Sequence, residues 1–263
     1  MLSQVGYPSA MREKIGALTL LASVVALTGC GDASPPPAPP ATSPAATAAP
    51  SAASAASPAS VPPQTGAPFT FVPIAGNWTP ALDEGQPTMT ADGTKPSSGG
   101  PHPLIGQLFG ADAETFVKRT TGPEAFPLVV AREVPSFKSG RLSMQFKLVG
   151  GQSDQIAGLV FNLKPDGTYN FARYNTKDGN VAIWQVVAGK RDVLAHGEAH
   201  QQLALGQWHD LVVTIDGAKV SAAAAGGALT VTHTLHAPVD GRIGLWTKTD
   251  SVTAFRALSA TKQ

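Results

Sequence analysis

Residues 141–148 read Arg141-Leu142-Ser143-Met144-Gln145-Phe146-Lys147-Leu148, and this alternation decides the fold. Leu142, Met144, Phe146 and Leu148 fall on one side of an extended chain; Arg141, Ser143, Gln145 and Lys147 fall on the other. Period two belongs to a strand with one face buried and one face wet, the pattern of an antiparallel sheet. Working outward, further strands are predicted at 156–163, 169–175, 181–187, 192–196, 208–215, 218–224, 229–235, 242–247 and 252–258. The punctuation between them suits hairpins: Pro165-Asp166-Gly167, Asp178-Gly179-Asn180, Gly189-Lys190, Asp216-Gly217, Gly226-Gly227 and Asp240-Gly241. No run of helical period extends beyond a few turns. Many short strands with evenly spaced turns predict an all-β fold, a two-sheet antiparallel sandwich or barrel.

Upstream the pattern is less regular. Residues 69–72 read as an opening strand, and 115–119 and 126–132 as two more. Residues 86–103, rich in Gly, Pro, Ser and Thr, read as a long loop. Further back, residues 34–68 are Pro, Ala, Ser and Thr with little else, and no charge occurs between Asp32 and Asp83. Such a segment cannot bury enough apolar area to offset its ordering entropy, so a disordered tether is expected over 31–68. At ~3.1 Å per residue a fully polyproline stretch would reach on the order of 100 Å.

Before the tether stands Leu27-Thr28-Gly29-Cys30. Residues 15–27 are almost wholly apolar and follow Arg12 and Lys14, the layout of an export signal whose start is Met11. At about 13 residues the apolar run falls short of the ~20 that span a bilayer. Cys30 after Gly29 matches the bacterial lipobox, in which the thiol is lipidated and becomes the new first residue. The expected organisation is a signal peptide over 1–30, the tether, and one domain over 69–263. Gly31 stands where an Asp would favour inner-membrane retention, so an outer-membrane anchor is expected, facing the periplasm or the outside. Cys30 is the only cysteine, so once it is acylated no disulfide staples the domain. Nineteen Lys and Arg against 18 Asp and Glu give a net charge of +1. That balance, with both signs scattered, argues against a nucleic-acid or anionic-membrane surface and leaves the lipid as the membrane contact.

Five stretches together resemble a known pattern. They are Ser136-Phe137-Lys138-Ser139-Gly140, then Asp154-Gln155-Ile156-Ala157-Gly158-Leu159-Val160-Phe161, then Tyr169-Asn170-Phe171-Ala172-Arg173-Tyr174-Asn175. The last two are Gly206-Gln207-Trp208-His209-Asp210-Leu211 and Gly241-Arg242-Ile243-Gly244-Leu245-Trp246-Thr247-Lys248-Thr249-Asp250-Ser251. This resembles the concanavalin A-like jelly-roll domains, near laminin-G-type modules and the 3-keto-disaccharide hydrolase-like (DUF1080) group, over roughly residues 69–260. Asn170 stands where such relatives often carry a second aromatic residue. The resemblance implies a two-sheet sandwich with one concave sheet, across which or at whose rim glycans lie. Architecture alone does not settle activity, since lectins, hydrolases, lyases and interaction modules share it.

The chemistry legible in the residues is sparse. Jelly-roll glycosidases resembling the laminarinase group carry a Glu-x-Asp-x-Glu strand, and retaining chemistry needs two carboxylates ~5.5 Å apart. Here none of Glu84, Glu114, Glu124, Glu133 and Glu198 shares the face of an expected strand with a second carboxylate two residues away. His196 and His200 flank a probable turn at Gly197, and His233 and His236 point to opposite faces of a strand, so neither pair suits zinc. No metal or cofactor site is assigned. Calcium stays open at Asp166, Asp178 and Asp240, which serve equally as turn formers. No Ser-His-Asp order or phosphate loop appears.

What remains is a binding face. Tyr169, Phe171, Arg173 and Asn175 share one side of their strand, with Trp184 on the next and Trp246, Lys248 and Asp250 near the end. Rings to cover apolar sugar faces, beside amide and guanidinium donors, would form a glycan platform. The alternative is that the rings are core and Arg173 pairs with a carboxylate at the strand end. Trp208, preceding Leu211, Val213 and Ile215, reads as structural. The sequence therefore carries three functions forward: a non-catalytic module binding glycan or another surface ligand, a sugar-active enzyme, and a structural or protein-binding lipoprotein.

Overall fold

The computed structural model describes residues 69–97, 102–121 and 126–263. The expected signal peptide, Cys30 and the tether lie outside the described residues. In chain order, three strands open the domain: β1 (Phe71–Ala75), β2 (Trp78–Asp83) and β3 (Gln86–Asp92). Two helices follow, α1 (Ile105–Phe109) and α2 (Ala113–Thr120). Then come β4 (Leu128–Ala131), β5 (Gly140–Gly150), β6 (Ile156–Leu163), β7 (Tyr169–Asn175), β8 (Asn180–Val187) and β9 (Lys190–His196). The chain ends with β10 (Trp208–Asp216), β11 (Lys219–Ala224), β12 (Leu229–Thr234), β13 (Arg242–Trp246) and β14 (Val252–Lys262).

These strands form two seven-stranded antiparallel sheets, ordered β1-β4-β13-β6-β7-β8-β9 and β12-β11-β10-β5-β14-β3-β2. The expected all-β sandwich is what the chain adopts. β5 lies at the middle of the second sheet, and its alternation works as read. Leu142, Met144, Phe146 and Leu148 are at most 1 % exposed and join Leu211, Val213 and Ile215 of β10 between the sheets. Each such side chain contributes about 1.5–3 kcal/mol by leaving water.

The first sheet is apolar on both faces. Its inner face adds Leu159, Phe161, Tyr174 and Ile183 to the shared core. Its outer face forms a second core under the helices, with Val130, Val160, Phe171 and Trp246 packed against Ile105, Phe109 and Phe116. The Phe109 and Phe116 rings stack at 3.7 Å, fixing α1 to α2. Gly158 lets Trp246 lie flat against β6, since a Cβ there would stand 3.1 Å from the indole.

Three expectations need correction. Residues 115–119 are the body of α2, not a strand: Phe116 and Thr120 are one turn apart and both face the sheet. Glu114 in the first turn and Lys118 and Arg119 in the last suit the helix dipole. The chain therefore does contain short helices. Residues 86–103 are not wholly loop either, because 86–92 form β3. Pro87 is tolerated because β14 pairs with β3 only from Met89 onward, leaving the Pro87 end without a partner on that side. β2 was not foreseen.

Candidate functional site

The outward face of the second sheet is open. β5 presents Arg141, Ser143, Gln145 and Lys147 there, and cross-strand register places Trp208 opposite Lys147, Asp210 opposite Gln145 and Val212 opposite Ser143. On the other flank β14 places Arg256 beside Gln145. Arg256 is held three ways. Its Nε donates to Gln145 Oε1 at 2.8 Å, its Nη1 donates to Glu84 Oε2 at 2.9 Å, and its guanidinium lies 4.0 Å from the Trp208 ring centroid. Lys147 lies 4.8 Å from the same centroid and pairs with Asp83. Lys147 and Arg256 thus each take a carboxylate from the β2–β3 hairpin. Cation–π contact of this kind contributes about 0.5–2 kcal/mol.

Two strained residues bear on Arg256. Glu84 has φ 53°, and Ala257, the residue after Arg256, has φ 52°. Ala257 belongs to a bulge in which the β14 register shifts between Arg256 and Ser259. Bulges and left-handed non-glycine residues gather where a side chain has to be re-aimed.

Around these residues are two hollows. One, of about 710 Å³, is lined by Glu84, Thr88, Ser143, Gln145, Asp210 and Arg256 and also by Phe71, Met144, Leu245 and Phe255, so it reaches in between the sheets. The second, of about 440 Å³, is lined by Arg141, Thr214, Ser221, Thr230 and Thr232, and both hollows share Asp210 and Val212. Meeting at Asp210 and Val212, they form a groove on this face whose lining draws on all seven strands of the sheet. Six strand spacings of ~4.8 Å put the breadth of the sheet itself at roughly 29 Å. The hydroxyls, amides and charges of the lining can hydrogen-bond a hydroxyl-rich chain, and Trp208 stands on the same outward face, outside both linings.

The residues singled out in the sequence lie on the other sheet, on its outward side or in the adjoining turn. They come together there, but largely inside the protein. Tyr169 and Trp246 are buried in the second core, with Trp246 stacked at 4.1 Å on Phe171 and 5.1 Å from Phe126. Burial pushes the Tyr169 hydroxyl pKa up. Arg173 is 4 % exposed; it donates to Asn180 Oδ1 at 2.7 Å, to the Asn180 carbonyl at 3.0 Å and to Asp178 Oδ2 at 2.7 Å. Burial pulls its pKa below the ordinary guanidinium value, and the Asp178 charge opposes that. Asn175 donates to the same Asp178 oxygen at 3.0 Å. Trp184 is half-buried, with its ring 6.2 Å from Phe171 and edge-on to His196. Lys248 pairs with Asp154 at 2.9 Å. Asp250 accepts the backbone N–H groups of Gln152, Ser153 and Asp154 at 2.7–3.1 Å, which holds its carboxyl below the usual range.

The Asp residues weighed for calcium are engaged locally. Asp166 accepts the Thr168 N–H, Asp178 binds Arg173, and Asp240 accepts from the Ser136 hydroxyl at 2.6 Å and pairs with Lys138. Among the described residues no group of three His, Cys, Asp or Glu could hold a metal ion.

Trp208, read as structural from the sequence, is held against Lys147 and Arg256 on the outward face. It shares the parity of Asp210, Val212 and Thr214, not of the inward Leu211, Val213 and Ile215. A large aromatic on the polar row was the available signal, and the row of Arg141, Ser143, Gln145 and Lys147 beside it was read merely as solvent-facing.

No protein-family model matches the sequence, and no curated protein does. Solved structures do. The carbohydrate-binding module CBM66 from Bacillus subtilis superposes with a TM-score of 0.52 at 12 % identity, over 73 % of this chain and 94 % of that one. A Bacillus subtilis protein of unknown function with a galectin-like fold gives 0.46 at 11 % identity, over 72 % and 87 %. The alginate lyase AlgAT5 of polysaccharide lyase family 7 gives 0.41 at 12 %, over 69 % and 81 %. The first of these places the chain in the architecture of jelly-roll β-sandwiches. At such identities the likeness is one of fold.

Proposed function

We propose that the chain is a glycan-binding module whose open sheet holds an extended oligosaccharide. The observation that carries this reading is the groove itself: its lining draws on all seven strands, and Arg256 and Gln145 within it interlock with Trp208 and Lys147 on the same outward face. A mixed lining of hydroxyl, amide and charged groups beside an aromatic ring matches what sugar hydroxyls and ring faces require. The fold shared with a carbohydrate-binding module is compatible with it.

The reading includes the address. Lipidation at Cys30 would anchor the chain in the outer membrane, and residues 31–68 would lift the sandwich away from it to meet its ligand. Mass spectrometry of the mature product tests this part; an unmodified peptide upstream of Cys30 would refute it.

A glycan array probed with wild type and Arg256→Ala tests the binding. Retention of a set of linear glycans that the variant loses supports the reading, and equal retention by both removes it. Glu84 and Asp210 line the same hollow, so the retained glycan is also assayed for cleavage. Turnover would replace the binding module with the sugar-active enzyme.

A further inference from the structure

The outward side of the first sheet carries a second cluster of guanidinium groups on aromatic rings. Arg191 of β9 sits opposite Val186 of β8. Its guanidinium is half-buried between two rings, 4.6 Å from the Trp184 centroid and 5.2 Å from the Phe126 centroid. A guanidinium carries five N–H donors. Among the described residues, no carboxylate stands within ion-pair distance of it and no acceptor within hydrogen-bond distance. The Trp184 Nε1–H is also buried without a partner among the described residues. The neighbouring carboxylates are engaged, Asp178 by Arg173 and Asn175, and Asp154 by Lys248. Arg173, the second guanidinium near Trp184 at 5.8 Å, is satisfied by Asn180 and Asp178. One positive charge and a set of donors are therefore left over, partly withdrawn from water, where unmade hydrogen bonds are costly.

We propose that Arg191 and Trp184 form a second ligand site, on the opposite sheet from the groove, that takes a singly charged carboxylate of the kind an acidic sugar carries. Among the described residues around Trp184, Arg191 is the cation without a carboxylate partner, which matches one carboxylate better than a doubly charged phosphate. The planar fork of Arg meets the two carboxylate oxygens side by side. Phe126, Trp184 and the exposed Val193, cross-strand partner of Trp184, give the rest of a sugar ring apolar contact. Burial draws the Arg191 pKa below its ordinary value and Asp154 opposes this, consistent with a cation short of close counter-charge.

The test uses the full chain with nitrogen-labelled tryptophan, titrated with glucuronate, glucose, acetate and sulfate while the indole N–H resonances are followed. The Trp184 resonance is identified by its loss in Trp184→Phe. Glucuronate is expected to shift it and glucose to leave it in place. Acetate acting as strongly as glucuronate assigns recognition to the carboxylate alone, and weaker acetate assigns part of it to the sugar ring; both support the site. Arg191→Gln should weaken glucuronate at least tenfold with an unchanged melting temperature. Trp208→Phe should leave glucuronate binding intact, which separates this site from the groove. Undiminished affinity in a folded Arg191→Gln chain overturns the proposal, as does an equal response to glucose or a preference for sulfate. Binding that appears only after Glu124→Gln overturns it too, because Arg191 would then be pairing within the chain.

Discussion

The two sheets put polar residues to opposite uses. On the outward side of the helix-covered sheet, Arg173 and Asn175 continue an aromatic row yet are buried, each tied to Asp178. On the outward side of the open sheet, Trp208 is an aromatic ring in a polar row, clamped by Arg256 and Lys147. The same alternation of residues produces both. What separates them is a cover: α1 and α2 close one face and nothing among the described residues closes the other. A polar side chain under a cover has to be paired to be tolerated. A polar side chain on an open face remains free to exchange water for a ligand. The comparison therefore makes a division of labour, with stability resting on one sheet and recognition on the other.

Trp246→Ala should produce the largest effect. The indole is fully buried between Phe171, Phe126 and the Gly158 strand. Removing it costs about 3–5 kcal/mol through lost burial and the cavity left behind. In a domain of this size that lowers the melting temperature by on the order of 10 °C. A melt within a degree or two of wild type would show that the second core carries little of the fold, and the division would fail.

Arg256→Ala should act mainly on binding. The ion pair to the largely exposed Glu84 adds little, but Arg256 itself is 14 % exposed and stacked on Trp208, so stability should fall by about 1–2 kcal/mol, less than for Trp246→Ala. Glycan retention should fall by roughly 10- to 100-fold, the worth of about 1.5–3 kcal/mol of charge-assisted hydrogen bonding. Equilibrium denaturation and a binding isotherm on one preparation read both numbers. A variant that loses stability but keeps its ligand would invert the comparison.

Arg173→Ala sharpens it from the other side. The residue was legible as a candidate contact, but its burial was not. Its neighbours are Trp184 on the next strand and Asn180 and Asp178 at the β7–β8 turn, and no local pattern in β7 announces them. Deleting Arg173 leaves Asn180 and Asp178 without their donor and should cost about 1–3 kcal/mol. That figure stays at the low end because Asp178 is half-exposed and water can replace part of what is lost. Glycan retention in the groove should not change.

How much the sequence disclosed follows from the range of each cause. Alternation is local, so β5 and its neighbours were readable from a few residues, and so was the sandwich they build. Helix α2 has only eight residues. Within that length Thr115-Phe116-Val117 carries strand preference, and the packing of Phe116 under Phe109 decides instead. The groove lies between the two cases. Trp208, Gln145 and Lys147 are set by parity, which was on the page, but Arg256 reaches them from a strand more than 100 residues downstream of β5, and no local pattern announces that pairing.

The smallest expected effect concerns acid. Asp250 caps three backbone N–H groups in the loop between β5 and β6, and those bonds, that of Ser153 first, lower its pKa in the folded chain. A carboxyl whose pKa is lower folded than unfolded stabilises the fold at pH above its unfolded value. That contribution drains away as pH falls through the folded value, because the unfolded chain then binds the proton first. Asp92 and Asp240 are lowered as well, by the Thr94 and Ser136 hydroxyls foremost, and act in the same direction. Stability measured in urea should therefore be level from neutral pH down to the ordinary carboxylate range and fall below it. Asp250→Asn should flatten that fall while lowering stability slightly at pH 7. Asp250 lines neither hollow, so Asp250→Asn should leave glycan affinity per folded molecule unchanged at pH 7. An affinity lost with Asp250 would tie the loop to recognition and erase the separation between the two sheets.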